Sequence, residues 1–311
     1  MKRRIGILTS GGDCPGLNAT IRGVAKACYQ MLGTENVEIV GISDGYYGLI
    51  HNICKEMKPD DFSGILTRGG TILGTKRQPF KMMKVIGDDN IDKVKNMKKT
   101  YQSQKLDCLL TLGGNGTHKT SQLLSEEGLN VIGLPKTIDN DLCITDHTPG
   151  FGSAAKYVAT TMQEITRDSS VYSAPSVTIV EIMGRNAGWL TASSVVLHAN
   201  GEVAPHLIYV PERKFSIEQF LEDTRQQMAK HKAVIIAISE GVADPEAAAF
   251  QSGVTDEFGH KYLSGIGKYL EQVVREQIGC KVRSIELNVM QRCSSHLCSK
   301  TDIDESVQIG A

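Results

Sequence analysis

Lys136, Asp139 and Asp141 stand within six positions of one another in the stretch "LPKTIDND", directly after the apolar run Val131-Ile132-Gly133-Leu134. Chain reversal alone asks for glycine or proline at the bend, not for three opposed charges. The chemistry open to these residue types is charge chemistry. A carboxylate accepts a proton or ligates a hard cation, and an ammonium faces an anion such as phosphate. The question is what this cluster handles, and what a lysine does beside two carboxylates.

Two glycine-rich stretches narrow it. The first apolar run leads into "TSGGDCPGLNA", with a helix expected from about Asn18. The pair Gly11-Gly12 lets backbone N–H groups come close to a phosphate, and a helix N-terminus behind it adds a favourable dipole. A tight strand-to-helix turn is the plain structural reading of the same residues. The turn lacks the G-x-G-x-x-G of a dinucleotide site, and "GGTILGTK" at Gly69–Lys76 carries Thr75 and Lys76 in the wrong order for a P-loop. The second stretch, "LGGNGTHKTS", places Gly113, Gly114 and Gly116 where a polyphosphate can pass, with the Thr117 hydroxyl beside them. Asn115 there can reach a metal-bound water but brings no charge. One such loop is a turn; two, each after a strand, with "PKTIDND" after a third, point to a phosphate site.

Those loops need strands to hold them. Strand candidates are Ile5–Thr9, Val37–Ile42, Leu106–Leu112, Val131–Leu134, Val177–Ile182, Leu207–Val210, Ala233–Ser239 and Val282–Val289. Helical stretches lie between several of them, such as Ala19–Leu32, Ala154–Arg167 and Ile217–Lys230. Alternation of this kind implies parallel sheets covered on both faces, with ligands beyond the carboxyl ends of the strands. A chain of 311 residues accommodates two ordinary domains. A net charge of −1 gives no reason to expect a nucleic-acid or membrane partner, so any phosphate binding must be local. The apolar run at the start is too short for a signal-peptide core, and "AVIIAI" is strand-sized, so a cytoplasmic protein with eight reduced cysteines is expected. "CSSHLC" places Cys293, His296 and Cys298 together but lacks a partner pair for zinc, and is read as ordinary packing. Near the end, Thr301 with Asp304 resembles a helix N-cap. The chain stops about ten residues later, a marginal length for an isolated helix. It is therefore expected to be cut within an element, leaving apolar surface exposed.

From residue 4 onward, "GGDCPGLNA", "RGGTILGTKR", "GGNGT", "PKTIDND", "VEIMGRNAGW" and "MQR" occur in this order and at suitable spacings. Together they resemble the 6-phosphofructokinase family, with "PKTIDND" and "EIMGR" the most specific members. Diacylglycerol and NAD kinases share a loop like the second one, but not the rest. The resemblance implies an α/β protein of two similar three-layer domains with largely parallel sheets and the active site in the cleft. Residues 1–152 plus about 291–311 would bind the donor, and about 153–290 fructose 6-phosphate. It implies Mg²⁺, a donor of ATP or pyrophosphate, and a homodimer or homotetramer with sugar-phosphate sites completed across an interface. The reaction implied is phosphoryl transfer to the 1-hydroxyl of fructose 6-phosphate in glycolysis, under allosteric control.

The resemblance also distributes roles. Asp139 takes the place of the general base, Arg185 that of the arginine stabilising charge on the transferring group, and Thr137 that of a hydrogen-bond partner for phosphoryl or sugar. Asp141 would hold the metal directly or through water, with Asn115 nearby. Gly11, Gly12, Arg77, Gly114, Asn115, Gly116, Thr117 and Lys136 fall at donor positions. Thr137, Asp139, Met183, Gly184, Arg185, Glu240, Arg283 and Arg292 fall at sugar-phosphate positions, the last two facing the 6-phosphate. Asn186 and Trp189 are assigned to local bonding and packing.

Three positions depart from the family pattern. Asn115 stands where many members carry an acid. Ser176 replaces an arginine and Val289 a histidine of ATP-dependent bacterial members, which thins the phosphate clamp. The donor signature is mixed: Gly116 leaves room for a nucleotide, whereas Lys136 is typical of pyrophosphate users. An open site admits ATP despite a lysine and a blocked one does not, so ATP is the reading and pyrophosphate the alternative. A non-catalytic regulatory member is the other alternative, with Asp139, Asp141 and Arg185 against it.

Overall fold

The computed structural model describes residues 2–86, 90–242 and 265–311. They divide into two compact units. The first comprises Met1–Ile138, Leu142–Ser153 and Arg292–Ala311; the second comprises Asp139–Asp141 and Ala154–Gln291.

In the first unit five strands, β1 (Arg3–Thr9), β2 (Val37–Ile42), β3 (Cys54–Met57), β4 (Cys108–Gly113) and β5 (Val131–Pro135), form a sheet ordered β3-β2-β1-β4-β5. All pairings are parallel except that of β3 with β2. Successive side chains of a strand point to opposite faces, and Ile7 and Leu8 are both 0% exposed, so both faces are covered. On one face Leu8, Val40, Ile42 and Leu109 pack with Tyr46 and Leu49 of α2 (Tyr46–His51), Met97 of α3 (Lys93–Ser103) and Leu123 and Leu124 of α4 (Asn115–Glu126). Each such fully buried aliphatic side chain contributes roughly 1.5–3 kcal/mol. α1 (Leu17–Leu32) packs on β2. The last helix of the chain, here α8 (Lys300–Gly310), lies along α1. A Cβ at Gly23 would overlap the Val307 carbonyl oxygen, and one at Gly310 the Thr20 carbonyl oxygen, so the two backbones touch.

The second unit holds β6 (Ser176–Ile182), β7 (Leu207–Tyr209), β8 (Ala233–Ser239) and β9 (Lys281–Glu286), ordered β7-β8-β6-β9 and all parallel. Every residue of β6 is buried, as a central strand covered on both faces requires. Phe220 and Leu221 of α6 (Ile217–Met228) and Ile266, Leu270 and Val274 of α7 (Ile266–Gln277) close on Val177, Ile179, Val234 and Ile236. A further helix, α5 (Phe151–Ser170), leads from the first unit into the second.

Some expectations are corrected. β3, a four-residue edge strand, has too little alternation to be read from sequence. The strand expected over Val282–Val289 ends at Glu286: the Leu287 N–H makes the last bond to β6, at the Glu181 carbonyl, and Asn288 then takes a positive φ of 42°. The N-cap of α8 is Ser299, whose hydroxyl accepts from the Asp302 N–H, and not Thr301. Trp189 is 57% exposed, so any packing it makes covers less than half of it. No helix among the described residues is long and apolar enough to cross a membrane.

Candidate active site

In the first unit the three loops suspected of phosphate chemistry all leave carboxyl ends of parallel strands: β1, β4 and β5. The strand order reverses between β1 and β4, where open α/β sheets bind ligands. β1 runs into Ser10–Gly16, with Gly11 at φ 92°. A Cβ on Gly11 would lie 3.9 Å from Lys136 Nζ and 4.0 Å from Thr117 Oγ1, and one on Gly12 would lie 3.7 Å from an Arg292 guanidinium nitrogen. The structure therefore gathers Gly11, Gly12, Thr117, Lys136 and Arg292 about one turn.

Each loop is fixed by backbone-directed bonds. The Thr117 hydroxyl donates to the Ser10 carbonyl (3.3 Å). A Cβ on Gly113 would lie 2.7 Å from that same oxygen, so the first two loops meet there. The Lys136 N–H donates to the Gly113 carbonyl (3.1 Å), tying the third loop to the second. The segment carrying "RGGTILGTK" is sewn alongside. Asn18 donates to the Arg68 and Gly70 carbonyls (3.0 and 2.8 Å) and accepts from the Ile72 N–H (2.9 Å). Asp13 accepts from the Thr71 N–H (3.0 Å), and the Thr75 hydroxyl donates to the Gly11 carbonyl (2.7 Å). Arg77 follows two residues on, exposed. Asp13, Asn18 and Thr75 carried no role in the sequence reading, although all lie within the motifs that were singled out.

Lys136 is the unusual member. It is 6% exposed, and among the described residues its ammonium has no hydrogen bond or carboxylate partner. Near it lie the Cys14 thiol, which burial pushes up to about 12 and keeps neutral, and, about the same turn, the Arg292 guanidinium. A buried ammonium without a counter-charge is costly, and an anion seated beside it would relieve that cost. Gly116, second residue of α4, is the opposite case: a Cβ there would meet nothing within 4 Å. Neither packing nor backbone conformation requires glycine at that position. Asn115 and Gly114 open the same helix, Asn115 exposed and Gly114 its N-cap.

In the second unit Met183, Gly184 and Arg185 leave the carboxyl end of β6, and Glu240 that of the neighbouring β8. The Ser239 hydroxyl donates to the Gly184 carbonyl (2.5 Å), and Glu240 accepts from the Gly184 N–H (3.4 Å). The buried Gln291 accepts from the Met183 N–H (3.4 Å) and donates to the Asn288 carbonyl (3.0 Å). These four predicted residues are thus brought together, braced by Ser239 and Gln291, which the sequence reading left without roles. Glu181, Glu240 and Glu286 line one small cavity here. Burial pushes the Glu181 carboxyl up to about 7, and the Glu286 and Glu240 charges add to the effect. The amides of Gly265 and Gly267, at the start of α7, donate to it and offset part of it.

Arg283 is not part of that gathering. It sits three residues before the end of β9, roughly 10 Å back along the strand. There it pairs with Asp168 (3.3 Å). Lys281, two residues earlier and on the same side of β9, is the register partner of Ser176, and its ammonium lies 4.6 Å from the Tyr172 ring centre. The chain crosses from the first unit to the second within "PKTIDND": Thr137 belongs to the first, Asp139 and Asp141 to the second. Cys298 donates to the Ser294 carbonyl at 3.8 Å, and His296 bonds Ser294 at 3.3 Å, consistent with local packing of "CSSHLC".

Comparison with known proteins places this geometry. The family model for phosphofructokinase matches residues 4–302. The chain belongs to the phosphofructokinase family. An ATP-dependent 6-phosphofructokinase of Spirochaeta thermophila is 41% identical over 295 residues, covering 93% of this chain and 78% of the relative. A pyrophosphate–fructose 6-phosphate 1-phosphotransferase of Amycolatopsis methanolica is 38% identical, covering 93% and 80%. Among solved structures, a pyrophosphate-dependent phosphofructokinase of Marinobacter aquaeolei superposes with a TM-score of 0.81 at 26% identity, covering 99% of this chain and 74% of that one. Phosphofructokinases are enzymes, and this chain is a member with both ATP-named and pyrophosphate-named relatives at similar identity.

Proposed function

We propose that the protein transfers a phosphoryl group from ATP to the 1-hydroxyl of fructose 6-phosphate, giving fructose 1,6-bisphosphate. The observation that carries the phosphate reading is Lys136, a buried ammonium beside Gly11 with no carboxylate partner among the described residues. The observation that favours ATP is Gly116, a glycine that packing does not need, with open space where a side chain would stand. Pyrophosphate is the second reading, favoured by the same Lys136, since an ammonium stabilises a departing phosphate as well as a retained one.

Asp139 takes the proton of the attacking hydroxyl, and Thr137 hydrogen-bonds the phosphoryl or the sugar. Arg185 stabilises charge on the transferring group, while Gly11, Gly12, Gly114, Thr117, Lys136 and Arg77 hold the donor phosphates. Met183, Gly184, Glu240 and Arg292 hold the sugar phosphate, with Arg283 reaching it at an interface between copies. Mg²⁺ usually binds through one or two carboxylates, several waters and substrate phosphates. Asp141 would supply the carboxylate of such a donor set, and Asn115 would reach a metal-bound water. Bound there, the ion neutralises charge on the transferring phosphoryl. Assembly as a homodimer or homotetramer, a cytoplasmic place in glycolysis and allosteric control belong to the same proposal, supported by family membership.

The test is purified protein with fructose 6-phosphate and Mg²⁺, assayed with ATP and pyrophosphate in parallel. Turnover with ATP in excess of that with pyrophosphate is expected; the reverse ratio makes pyrophosphate the donor, and no bisphosphate with either sinks the enzyme reading. Asp139→Asn should lower kcat by about 10²–10⁴-fold while donor affinity stays near wild type. Turnover within tenfold of wild type would remove the base assignment.

A further inference from the structure

We propose that Asp302, on the C-terminal helix α8, is a positioning residue for the Thr137 segment, acting through the 148–150 return of the catalytic loop. The proposal rests on the functional reading above, which makes Thr137 and its neighbours the reacting loop.

The Asp302 carboxyl is buried, with 5% of the residue exposed. It is not needed as a helix cap, because Ser299 already caps α8. Its two oxygens instead reach outside the helix. One accepts from the Gly150 N–H (2.8 Å), the other from the Ser153 N–H (3.2 Å) and the Ser153 hydroxyl (2.5 Å). The Ser153 oxygen in turn accepts from the Ser299 N–H (3.0 Å), so the carboxylate and the start of α5 are locked as a unit.

What Asp302 holds is a crossroads. Gly150 forms a β-bridge with Thr137, and the Thr148 hydroxyl donates to the Thr137 carbonyl (2.6 Å). Gly150 has φ 101°, and a Cβ there would overlap the Cys14 sulfur, so its backbone lies directly against the first glycine loop. Cys14 itself donates to the Pro149 carbonyl (3.1 Å). The first loop, the third loop and α8 therefore meet at Pro149-Gly150, and Asp302 is the buried carboxyl bonded there, with the more exposed Glu305 of the same helix paired to His147 (3.0 Å) beside it. Charge-assisted bonds to backbone amides suit a positioning role, being shorter and stronger than neutral ones. A catalytic group misplaced by about 1 Å loses on the order of a hundredfold in rate, so the brace bears on turnover rather than on binding.

Asp302→Asn, Asp302→Ala and Thr148→Val in the full chain test this. Asn keeps an acceptor for the Gly150 N–H and loses the Ser153 N–H bond; Ala loses both. Thr148→Val leaves Asp302 untouched and removes the hydroxyl bond to the Thr137 carbonyl. With whichever donor supports wild-type turnover, kcat should fall roughly tenfold in Asp302→Asn and further in Asp302→Ala, with KM for fructose 6-phosphate within about threefold. Hydrogen exchange should quicken across residues 136–150 and stay unchanged in α4. A folded Asp302→Asn with kcat within twofold of wild type overturns the proposal, as does exchange quickened throughout the first unit. Should the Asp302 variants fail to fold, Thr148→Val must show the same kcat-specific loss, and an unchanged kcat overturns it. If wild-type protein turns over neither donor, the functional reading fails, and exchange at 136–150 alone decides the brace.

Discussion

Lys136 and Gly116 pull the donor question in opposite directions, and the structure explains why each can. Lys136 is a cation enclosed next to Gly11 with no carboxylate partner among the described residues, so any anion seated there gains from it. The gain is the same for an inner phosphate of ATP and for the leaving phosphate of pyrophosphate, but pyrophosphate has fewer other contacts to fall back on. Gly116 decides by exclusion. A side chain there meets nothing of the protein, so its fold cost is close to nil, while a carboxylate would confront the phosphates that follow the transferring one. Gly116→Asp should thus leave the melting temperature nearly unchanged and cut ATP use by roughly a hundredfold, sparing pyrophosphate. Lys136→Gly should harm pyrophosphate use far more than ATP use. Parallel kcat/KM values for the two donors check both, and equal losses in either variant undo the corresponding half of the argument.

α1 and α8 approach through glycine, which ties the end of the chain to the helix behind the first phosphate loop. Gly23→Ala gains up to about 1 kcal/mol of helix propensity, yet its methyl group would overlap the Val307 carbonyl, a backbone atom that cannot swing aside. Overpacking of this kind costs roughly 1–3 kcal/mol, so net destabilisation is expected. Thermal unfolding checks it; a variant as stable as wild type means the helices separate freely. The same elements show how far the sequence could be read. Seven of the eight proposed strands match within two residues at each end; the central ones, such as β6 and β4, are buried on both faces and announce themselves as apolar runs. Where two signals compete, the sequence is silent. Ser299-x-x-Asp302 and Thr301-x-x-Asp304 fit the same capping pattern, and the outcome depends on which carboxylate finds buried amides from Gly150 and Ser153. Motif residues such as Lys136 and Met183-Gly184-Arg185 stand out in the sequence by residue type and spacing alone. Asn18, Ser239 and Gln291 do not, since their work is bonding to backbone far away in the chain, which spacing does not record. Arg283 shows the complementary limit: a likeness of motif assigns it a role, but only the strand register shows it lying away from Met183-Gly184-Arg185.

Two sheets with separate cores make two bodies whose stabilities need not respond alike to pH. The second carries the buried Glu181 carboxyl, raised from 4.5 to about 7 chiefly by burial, with Glu286 and Glu240 adding to it. A carboxyl with a folded pKa above its unfolded value binds more protons in the folded state across that interval. Its contribution to stability is full below about 4.5 and is lost as pH rises through about 7. A difference of about 2.5 pH units corresponds to at most roughly 3 kcal/mol, large beside a domain's net stability. The first unit has its own buried carboxyl pushed up by burial, Asp302, so the Glu181 effect is read as the difference that Glu181→Gln makes in the transition of the second. Glu181→Gln keeps an acceptor for the Gly265 and Gly267 amides and removes the charge, hence the linkage. Calorimetry from pH 5 to pH 8 should show a wild-type transition that weakens relative to the Glu181→Gln variant as pH rises, with the gap levelling off above about 7. Parallel curves over that range would mean that the folded protein holds the carboxylate charged at no cost, and that the Gly265 and Gly267 amides alone compensate its burial.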